Sequence, residues 1–320
     1  MASTSSSLMQ LALYLLACAL SARAESYSLS SSVVGTQFND AFEYQAIADP
    51  SHGRVNYVDA STAKSKNLTY AHGDTFILRA DHTSYLSSNG PGRDSVHLTT
   101  TATYSTHVVV FDIRHMPQGC GTWPAVWEVG ADWPNEGEID IIEGVNDASP
   151  NQVTVHTGSG CSMPSERAQT GSTTTTTCTS SNGDNSGCGV RDKDDDSFGP
   201  DFNSIGGGWY AMERTSSFVK VWFWPRNSGS VPGDVRNGGS GVDTGGWGTP
   251  VAYFPSTSQC DLESHLGPMS VIINLTFCGD WAGAAYSNSG CPGSCVDYVN
   301  NNPSAFADAY FDFASMRIYE

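Results

Sequence analysis

The chain has 320 residues, and its 33 acidic side chains outnumber the 15 basic ones, which gives a formal net charge of −18 at neutral pH. This negative balance argues against nucleic acids and anionic membranes as partners, because both would repel an acidic surface. A neutral polymer such as a polysaccharide is compatible with the charge, and the length suffices for one large domain.

The first 24 residues are predicted to be a secretory signal peptide. Residues 8–20 form an apolar core, and the tripeptide Ala-Arg-Ala at 22–24 fits the small-x-small rule for cleavage before Glu25. The core is too short for a membrane anchor, and no later segment is apolar enough to span a bilayer. We therefore expect a secreted, extracellular protein in which residues 25–320 form a single domain.

Short segments rich in β-branched and aromatic residues recur along the rest of the chain and predict strands. They are Thr75–Arg79, Ser95–Thr99, His107–Arg114, Gln152–His156, Trp209–Glu213, Val219–Phe223, Met269–Thr276 and Phe311–Tyr319. Turn-forming residues separate them, and helical periodicity is rare. The pattern is typical of an all-β sandwich or jelly roll of two antiparallel sheets. The continuous apolar run Val108–Phe111 predicts a strand buried between the layers.

The stretch Gly137–Gly144 places three carboxylates in a run of isoleucines. Glu138 and Asp140 alternate with isoleucines, so both acids point to the same face of a strand. Strict alternation would turn Glu143 to the opposite face, whereas one extra residue before it, a β-bulge, would return it to the acidic face. A solvated surface strand explains such a row poorly, because like charges on one face repel each other.

Two carboxyl groups flanking a bond are what a glycosidase needs, one as nucleophile and one as proton donor. A third acid between them helps to keep one ionised and to raise the pKa of the other. A serine nucleophile is not supported, because the chain has no Gly-x-Ser-x-Gly elbow.

The motif Glu-Ile-Asp-Ile-Ile-Glu at 138–143 resembles the bulged signature of glycoside hydrolase family 16. Residues 92–96, 115–127, 155–161 and 278–283 are similar to fungal, laminarinase-type members of that family. The resemblance implies a β-jelly-roll sandwich with a concave substrate cleft. It also implies a retaining endo-1,3(4)-β-glucanase that cleaves β-1,3-glucan (laminarin) and mixed-linked β-1,3-1,4-glucan by double displacement.

The order of acids in the family's signature implies a role for each one here. Glu138 is expected to be the nucleophile, Glu143 the acid/base, and Asp140 the assisting group between them. The negative charges of Glu138 and Asp140 are expected to raise the pKa of Glu143.

Pyranose rings present apolar faces and a rim of hydroxyl groups, which tryptophan and polar side chains bind respectively. The residues that the resemblance implies for substrate binding are Trp127, Trp133, His156, Trp281, Arg93 and Asn56. Arg93 and Asn56 are expected at the rim of the cleft. Trp123 precedes a proline and is expected in the core, whereas Trp209, Trp222 and Trp224 are expected in the core or on the outer face of a sheet. His115 is expected to be structural.

Eight cysteines follow the signal peptide, and an even number in a secreted chain predicts four disulfides. Sequence alone leaves their connectivity open, although proximity favours Cys178–Cys188 and Cys291–Cys295. The second pair lacks the partner ligands of a zinc site. The acidic run Asp192–Asp196 lacks the glycine and distal glutamate of a calcium loop. We therefore expect no metal and no cofactor.

Two sequons, at Asn67 and Asn274, are candidates for N-glycosylation. Asn67 lies in a polar stretch. Asn274 lies in an apolar predicted strand, whose burial would block the modification.

Two alternatives to a hydrolase stay open. The first is a cell-wall glucan transglycosylase on the same scaffold, and the second is a non-catalytic β-glucan-binding module. The presence of all three acids argues against the second alternative, and the bulged signature argues against the plant-type transglycosylases. We expect a monomer with β-glucan as its partner, whose linkage preference depends on the shape of the loops.

Overall fold

The computed structural model describes residues 26–181 and 184–320, so the predicted signal peptide, residues 1–24, lies outside the described residues. The strands are β1 Ser26–Val33, β2 Phe42–Tyr44, β3 Val55–Tyr57, β4 Thr69–His72, β5 Thr75–Arg79, β6 Arg93–Ser95, β7 His97–Thr100, β8 His107–His115, β9 Thr122–Gly130, β10 Glu138–Glu143, β11 Gln152–His156, β12 Ser172–Thr173, β13 Cys188–Arg191, β14 Gly208–Arg214, β15 Phe218–Pro225, β16 Gly241–Asp243, β17 Ala252–Pro255, β18 Met269–Phe277 and β19 Tyr310–Tyr319.

Short helices occupy the connections between strands. They are α1 Phe38–Ala41, α2 Ala60–Ser65, α3 Gly199–Ser204, α4 Gly233–Asn237, α5 Leu262–His265 and α6 Cys295–Asn301. A π-helix covers Gly279–Gly283, directly after β18. Within the part of the chain that is described, no helix has the length and hydrophobicity needed to cross a bilayer.

Two large antiparallel sheets form the body of the molecule, as the strand pattern predicts. The first has the order β16-β1-β19-β8-β14-β15-β17, with β5 also pairing with β19 and β4 with β5. The second has the order β12-β13-β11-β10-β9-β18-β7-β2. The predicted β-sandwich is therefore confirmed.

The predicted strand Ser95–Thr99 is wrong as a single element. It divides at Val96 into the end of β6 and most of β7. These two strands pair differently, because β6 lies parallel to β3 whereas β7 joins β18 and β2 in the second sheet. A change of partner within an alternating run of polar and apolar residues, Ser-Val-His-Leu-Thr, leaves no trace in the hydrophobic pattern.

The residues of strand β8 show that the first sheet is covered on both of its faces. Its residues from His107 to Phe111 are all buried, as the continuous apolar run predicts. Val109 and Phe111 pack into the core between the sheets, while Val108 and Val110 face a second apolar cluster on the outer side. That outer cluster contains Trp209, Trp222, Trp224 and Trp247. The prediction for the first three of these tryptophans is confirmed.

The second sheet has one apolar face and one face that lines a cleft. On β18, Val271, Ile273 and Leu275 are fully buried in the core between the sheets. The alternate residues Asn274 and Thr276 line the cleft. The period of two along the strand thus places Asn274 and Thr276 on the cleft face.

Four disulfides join all eight cysteines after residue 24, which confirms the predicted number. They are Cys120–Cys291, Cys161–Cys260, Cys178–Cys188 and Cys278–Cys295. The predicted pair Cys178–Cys188 is correct. The predicted pair Cys291–Cys295 is wrong, because residues 291–299 pack beside the start of β9, where Cys291 bonds to Cys120 and Cys295 bonds to Cys278.

The disulfides are expected to differ in how much they stabilise the fold. Cys161–Cys260 joins residues 99 apart, whereas Cys178–Cys188 joins residues 10 apart. Loop-closure entropy predicts about 5 kcal/mol for a loop of the first size and about 3 kcal/mol for the second. Urea unfolding of the two double-alanine variants checks this order. A larger loss for the Cys178/Cys188 variant would contradict it.

Candidate active site

A β-bulge in β10 organises the candidate site. Asp140 lies opposite Trp127 of β9, but Ile142 lies opposite Val126, so Ile141 is an extra residue. The predicted bulge is confirmed. Because of it, Glu138, Asp140 and Glu143 all border one cleft. The isoleucines of β10 are fully buried in the core between the sheets.

Gly137 lets the chain enter β10 at this position. Its φ of +77° lies in the left-handed region, and an added Cβ would come within 2.4 Å of the Leu266 side chain. A glycine is therefore required immediately before the first acid for two reasons, backbone conformation and space.

The cleft crosses the second sheet and has a volume of about 390 Å³. Its floor comes from alternate residues of β9, β10 and β18. The residues that line it are Asp49, Pro50, Ser51, Tyr57, His97, Trp123, Ala125, Trp127, Val129, Trp133, Glu138, Asp140, Glu143, Asn185, Asn274, Thr276 and Asp280. Aromatic faces thus alternate with hydrogen-bonding groups, as binding of a sugar chain requires.

His156 lies across the strand pair from Glu138 and contacts two of the acids. Its Nε2 is 3.2 Å from Oδ2 of Asp140 and 4.0 Å from Oε1 of Glu138. On the other side of the ring, Nδ1 forms a 3.1 Å hydrogen bond with the hydroxyl of Ser180. Gly187 leaves room for the ring, since an added Cβ there would lie 2.8 Å from it. The structure therefore places His156 at the acids, where the resemblance implied it.

Burial is the first cause of a raised pKa at each of the three acids. It raises the pKa of Glu138 to about 8, helped by the charge of Asp140, and that of Asp140 to about 7. Burial also raises the pKa of Glu143 well above its ordinary value, with the charge of Asp140 as the second cause. The predicted direction for Glu143 is confirmed, although desolvation contributes more than repulsion. Three acids in this environment do not all ionise at neutral pH.

Trp123 is a cleft residue, so the prediction that it lies in the core is wrong. Its Nε1 donates a 2.8 Å hydrogen bond to Oε1 of Glu143. Trp281 packs edge-on against the same indole, with ring centroids 5.8 Å apart. Trp281 is not among the residues that line the cleft, but it borders Glu143 in a second, smaller cavity, and its predicted role in substrate binding stays a prediction. The alternation of residues 123, 125 and 127 along β9 could have revealed Trp123, because the resemblance already placed Trp127 in the cleft.

Trp127 is oriented by two residues that the sequence analysis did not assign to the site. Its Nε1 donates to Oδ1 of Asn274 at 2.8 Å, and Nδ2 of Asn274 donates to the hydroxyl of Tyr57 at 3.0 Å. Asn274 is therefore buried with both of its polar atoms bonded, which agrees with the expectation that it carries no glycan. Its position in an apolar strand hid it, although it alternates with the core residues of β18.

Trp133 is the most exposed aromatic residue of the cleft, since 44% of its surface is accessible. It lies in the connection between β9 and β10 rather than on a strand. An indole exposed at this position offers a flat apolar face on which a sugar ring can stack.

Arg93 does not lie at the rim of the cleft, and its predicted role in binding is wrong. Its side chain is fully buried, donates to the backbone oxygens of Asp81 and Val299, and lies 4.8 Å above the ring of Phe306. The guanidinium therefore ties loops together inside the protein.

Asn56 lies in a neighbouring depression and is not among the residues that line the cleft. Its Nδ2 donates to Asp94 at 2.6 Å, so its predicted contact with substrate finds no support near the acids. His115 is structural as expected, because its Nδ1 bonds to the backbone oxygen of Tyr310 and its ring stacks on that tyrosine.

Glu138, Asp140 and His156 are the one group in residues 26–181 and 184–320 whose side chains could hold a metal ion. Their potential ligand atoms lie within 4.8 Å of one another. The expectation of a metal-free site remains a prediction.

The comparisons with known proteins agree with this geometry. Residues 42–319 match the model of the XgeA-like catalytic domain of glycoside hydrolase family 16. A probable glycosidase of Schizosaccharomyces pombe is 41% identical over 93% of this chain and 70% of its own length. Probable endo-1,3(4)-β-glucanases of Aspergillus and Neosartorya species are 40–41% identical, but the chain spans only 41–47% of their length.

Two solved structures are similar over 92% of this chain and all of their own. Laminarinase 16A from Phanerochaete chrysosporium, with 6-O-glucosyl-laminaritriose in its donor and acceptor sites, is 61% identical with a TM-score of 0.91. An elongating family 16 β-1,3-glucosyltransferase is 39% identical with a TM-score of 0.86. From the matched domain, the fold and these relatives together, the chain belongs to glycoside hydrolase family 16.

Proposed function

We propose that this protein is a secreted, retaining endo-β-glucanase that hydrolyses β-1,3-glucan and mixed-linked β-1,3-1,4-glucan. The observation that carries the proposal is the row of Glu138, Asp140 and Glu143 along one bulged strand, beneath a cleft with aromatic walls. The glucan substrate is inferred from laminarinase relatives, one of which binds a β-glucan oligosaccharide.

In the proposed mechanism, the carboxylate of Glu138 attacks the anomeric carbon while Glu143 donates a proton to the departing glycosidic oxygen. The bond from C1 to that oxygen breaks, and a glycosyl ester forms on Glu138. Glu143, now ionised, then removes a proton from a water molecule that attacks C1 and releases the sugar. Two inversions at C1 leave its configuration unchanged. The assignment of the two glutamates follows the order of the family's signature.

The electrostatics of the cleft favour the proposed role of Glu143 and oppose the ionised state that Glu138 needs. Burial raises the pKa of Glu143, which keeps this acid protonated for the first step. Glu138 must lose its proton to attack, although burial opposes that loss. The hydrogen bond between Glu138 and Asp140 raises the pKa of Glu138 further and lowers that of Asp140, so it also favours the proton on Glu138. His156 beside the pair lowers the pKa of Glu138.

Trp133 and Trp127 are the proposed platforms for glucose rings on either side of the scissile bond. Trp133 presents an exposed face, and Trp127 is held in one orientation by Asn274. A cleft across a sheet admits the middle of a chain, which is the basis for proposing endo action.

Secretion is proposed from the cysteines as well as the amino-terminal segment. Four disulfides persist in an oxidising environment and not in a reducing cytosol. The cleft itself contains none of these cysteines, so we assign them to stability rather than to catalysis.

Glucosyl transfer is the second candidate function. A 39% identical structure is an elongating β-1,3-glucosyltransferase, and a mutant of Laminarinase 16A cyclises laminariheptaose. Hydrolysis and glucosyl transfer would use the same glycosyl ester on Glu138. In hydrolysis water attacks the ester, and in transfer a sugar hydroxyl attacks it. Sizing of products from laminariheptaose separates them, since products longer than seven units indicate transfer.

Retention of configuration is the first test of the mechanism. Proton NMR during hydrolysis of laminarin should show the β-anomer before mutarotation produces the α-anomer. If the α-anomer appears first, the enzyme inverts and Glu138 is not the nucleophile. The Glu138→Ser variant should lose hydrolysis yet still bind laminarioligosaccharides in calorimetry. Glu166→Ser, which changes an exposed glutamate outside the cleft, serves as the control and should stay active.

The effect of removing the acid/base on the reaction rate is expected to depend on the leaving group of the substrate. Glu143→Ala should reduce kcat on laminarin by about 10²–10⁴-fold, the usual contribution of general acid–base catalysis. An aryl β-laminaribioside with a dinitrophenolate leaving group needs no proton and should form the glycosyl ester readily. Azide should then accelerate turnover and give a β-glycosyl azide, which NMR identifies. Failure of azide to react would argue against Glu143 as the acid/base.

The raised pKa of Glu143 also predicts a dependence of stability on pH. Folding favours the protonated form, so this contribution is complete below the pKa of about 4.5 in the unfolded chain and is lost as the pH rises through the folded pKa. Glu143→Gln cannot ionise, so the stability of the wild type should fall relative to that of Glu143→Gln as the pH rises from 5 to 8. Urea unfolding at pH 5 and pH 8 measures the difference, with Glu166→Gln as control. Equal pH dependence of wild type and Glu143→Gln would contradict it.

A further inference from the structure

Strand β10 loses one of its two backbone partners at the bulge. Its pairing with β11 consists of Glu138–His156, Ile139–Val155 and Asp140–Thr154 and stops there. Its pairing with β9 continues on the other side as far as Glu143, which lies opposite Ala125. The backbone from Ile141 to Glu143 therefore has no strand partner on the β11 side.

The side chain of Asn151 occupies that side. Its Oδ1 accepts a 2.9 Å hydrogen bond from the backbone N–H of Glu143, and its Nδ2 donates a 3.0 Å hydrogen bond to the backbone oxygen of Ile141. In an extended strand, the carbonyl of one residue and the N–H of the second residue after it point to the same side. The primary amide of Asn151 thus replaces one peptide group of the missing partner strand.

Asn151 is itself fixed on its own backbone. It is fully buried, its N–H donates to Oγ of Ser197 at 3.0 Å, and its carbonyl accepts from the N–H of Asp192 at 2.9 Å. It is not among the residues that line the cleft, so it would not touch a bound sugar. Any influence of Asn151 on catalysis must pass through the strand that it holds.

Glu143 receives this support directly through its backbone N–H. It is the last residue of β10, and Gly144, which has no side chain, follows it. Trp123 holds the Glu143 carboxyl from the cleft side at 2.8 Å, and Asn151 holds its backbone from behind. Both restraints together determine where the carboxyl lies relative to Glu138.

We propose that Asn151 is a positioning residue that sets the acid/base carboxyl of Glu143 at the distance from the sugar that proton transfer requires. The proposal rests on the proposed function, in which Glu143 transfers the proton. Without the amide, the end of β10 has one partner strand, and the carboxyl moves away from the glycosidic oxygen. A displacement of about 1 Å in a catalytic group reduces the rate by up to about 10²-fold.

Asn203 provides a matched control because its side chain makes the same kind of contact elsewhere. Its Oδ1 accepts from the N–H of Met116 at 2.8 Å, and its Nδ2 donates to the oxygen of the same residue at 2.9 Å. It lies outside the cleft. Its Nδ2 also donates to Oε1 of Gln118 at 2.7 Å. Asn203→Leu therefore removes three side-chain hydrogen bonds remote from Glu143, whereas Asn151→Leu removes two behind Glu143.

The experiment compares two reactions of each variant. For Asn151→Leu, we expect kcat on laminarin to fall by about 10²-fold, while the burst of dinitrophenolate from the activated aryl laminaribioside keeps its rate within about threefold. The burst needs Glu138 but no proton donor. The alkaline limb of the pH profile of kcat/KM should also shift, because it reports the proton donor. Asn203→Leu should resemble the wild type in all three measurements.

Two results would overturn the proposal. One is an equal loss of laminarin hydrolysis and of the burst in Asn151→Leu, which indicates general damage. The other is retention of laminarin hydrolysis within about threefold of the wild type. If the wild type itself does not cleave laminarin, the proposed function fails. That outcome is separate from failure of the proposed positioning role of Asn151 in an active enzyme.

Asn151→Asp keeps the test decisive if the leucine variant does not fold. The neutral carboxyl matches the amide in shape and donates one hydrogen bond to Ile141, whereas the ionised carboxylate has no donor. Its laminarin activity relative to the wild type should therefore rise as the pH falls, with unfolding monitored at each pH. A ratio that stays constant with pH would overturn the proposal.

Discussion

The candidate site depends on one departure from the regular geometry of a strand. Side chains in a β-strand alternate between faces, so a strand that buries isoleucines on one side cannot present Glu138, Asp140 and Glu143 together on the other without an extra residue. Ile141 is that residue, and it allows the register against β9 to shift between Asp140 and Ile142. The three acids share one surface while the isoleucines between them stay in the core. A bulge disrupts the ladder of backbone hydrogen bonds locally. The side chain of Asn151 supplies two hydrogen bonds to β10 on the side where its pairing with β11 has stopped.

The second constraint is the free-energy cost of placing three acids on a sheet that is buried on its other face. Burial raises the pKa of each acid, so the cleft favours protonated carboxyl groups. Trp123 donates a hydrogen bond to Glu143, and His156 lowers the pKa of Glu138, so two of the acids have a neighbour that favours the charged form. The site thus combines groups that oppose ionisation with groups that favour it, as acid/base chemistry on one cleft floor requires.

The remainder of the fold packs against this floor and ties its loops together. The first sheet is packed on both faces, because the core between the sheets covers one and the tryptophan-rich outer cluster covers the other. Disulfides fix the loops that form the walls. Cys278–Cys295 and Cys120–Cys291 hold the segment that carries Trp281, while Cys178–Cys188 closes the segment that carries Ser180, the partner of His156. The cleft walls are therefore attached covalently to the sheets at several points.

Local patterns in the sequence determined the sandwich, the bulge and the three acids, because alternation, turn residues and an inserted isoleucine are properties of a few neighbouring residues. The resemblance to family 16 added Trp127 and Trp133, which the structure brings to the same cleft, and His156, which it places beside Glu138 and Asp140. Tertiary structure alone decided the roles of Arg93, Asn274 and Asn151. Each is a polar residue whose hydrogen-bond partners lie on other elements of the fold. In the sequence, a buried arginine such as Arg93 looks the same as an arginine that lines a cleft, because only the surrounding residues distinguish the two. The disulfide partner of Cys291 was decided in the same way, because pairing depends on distance in space and a return of the chain over 171 residues brings Cys120 beside it.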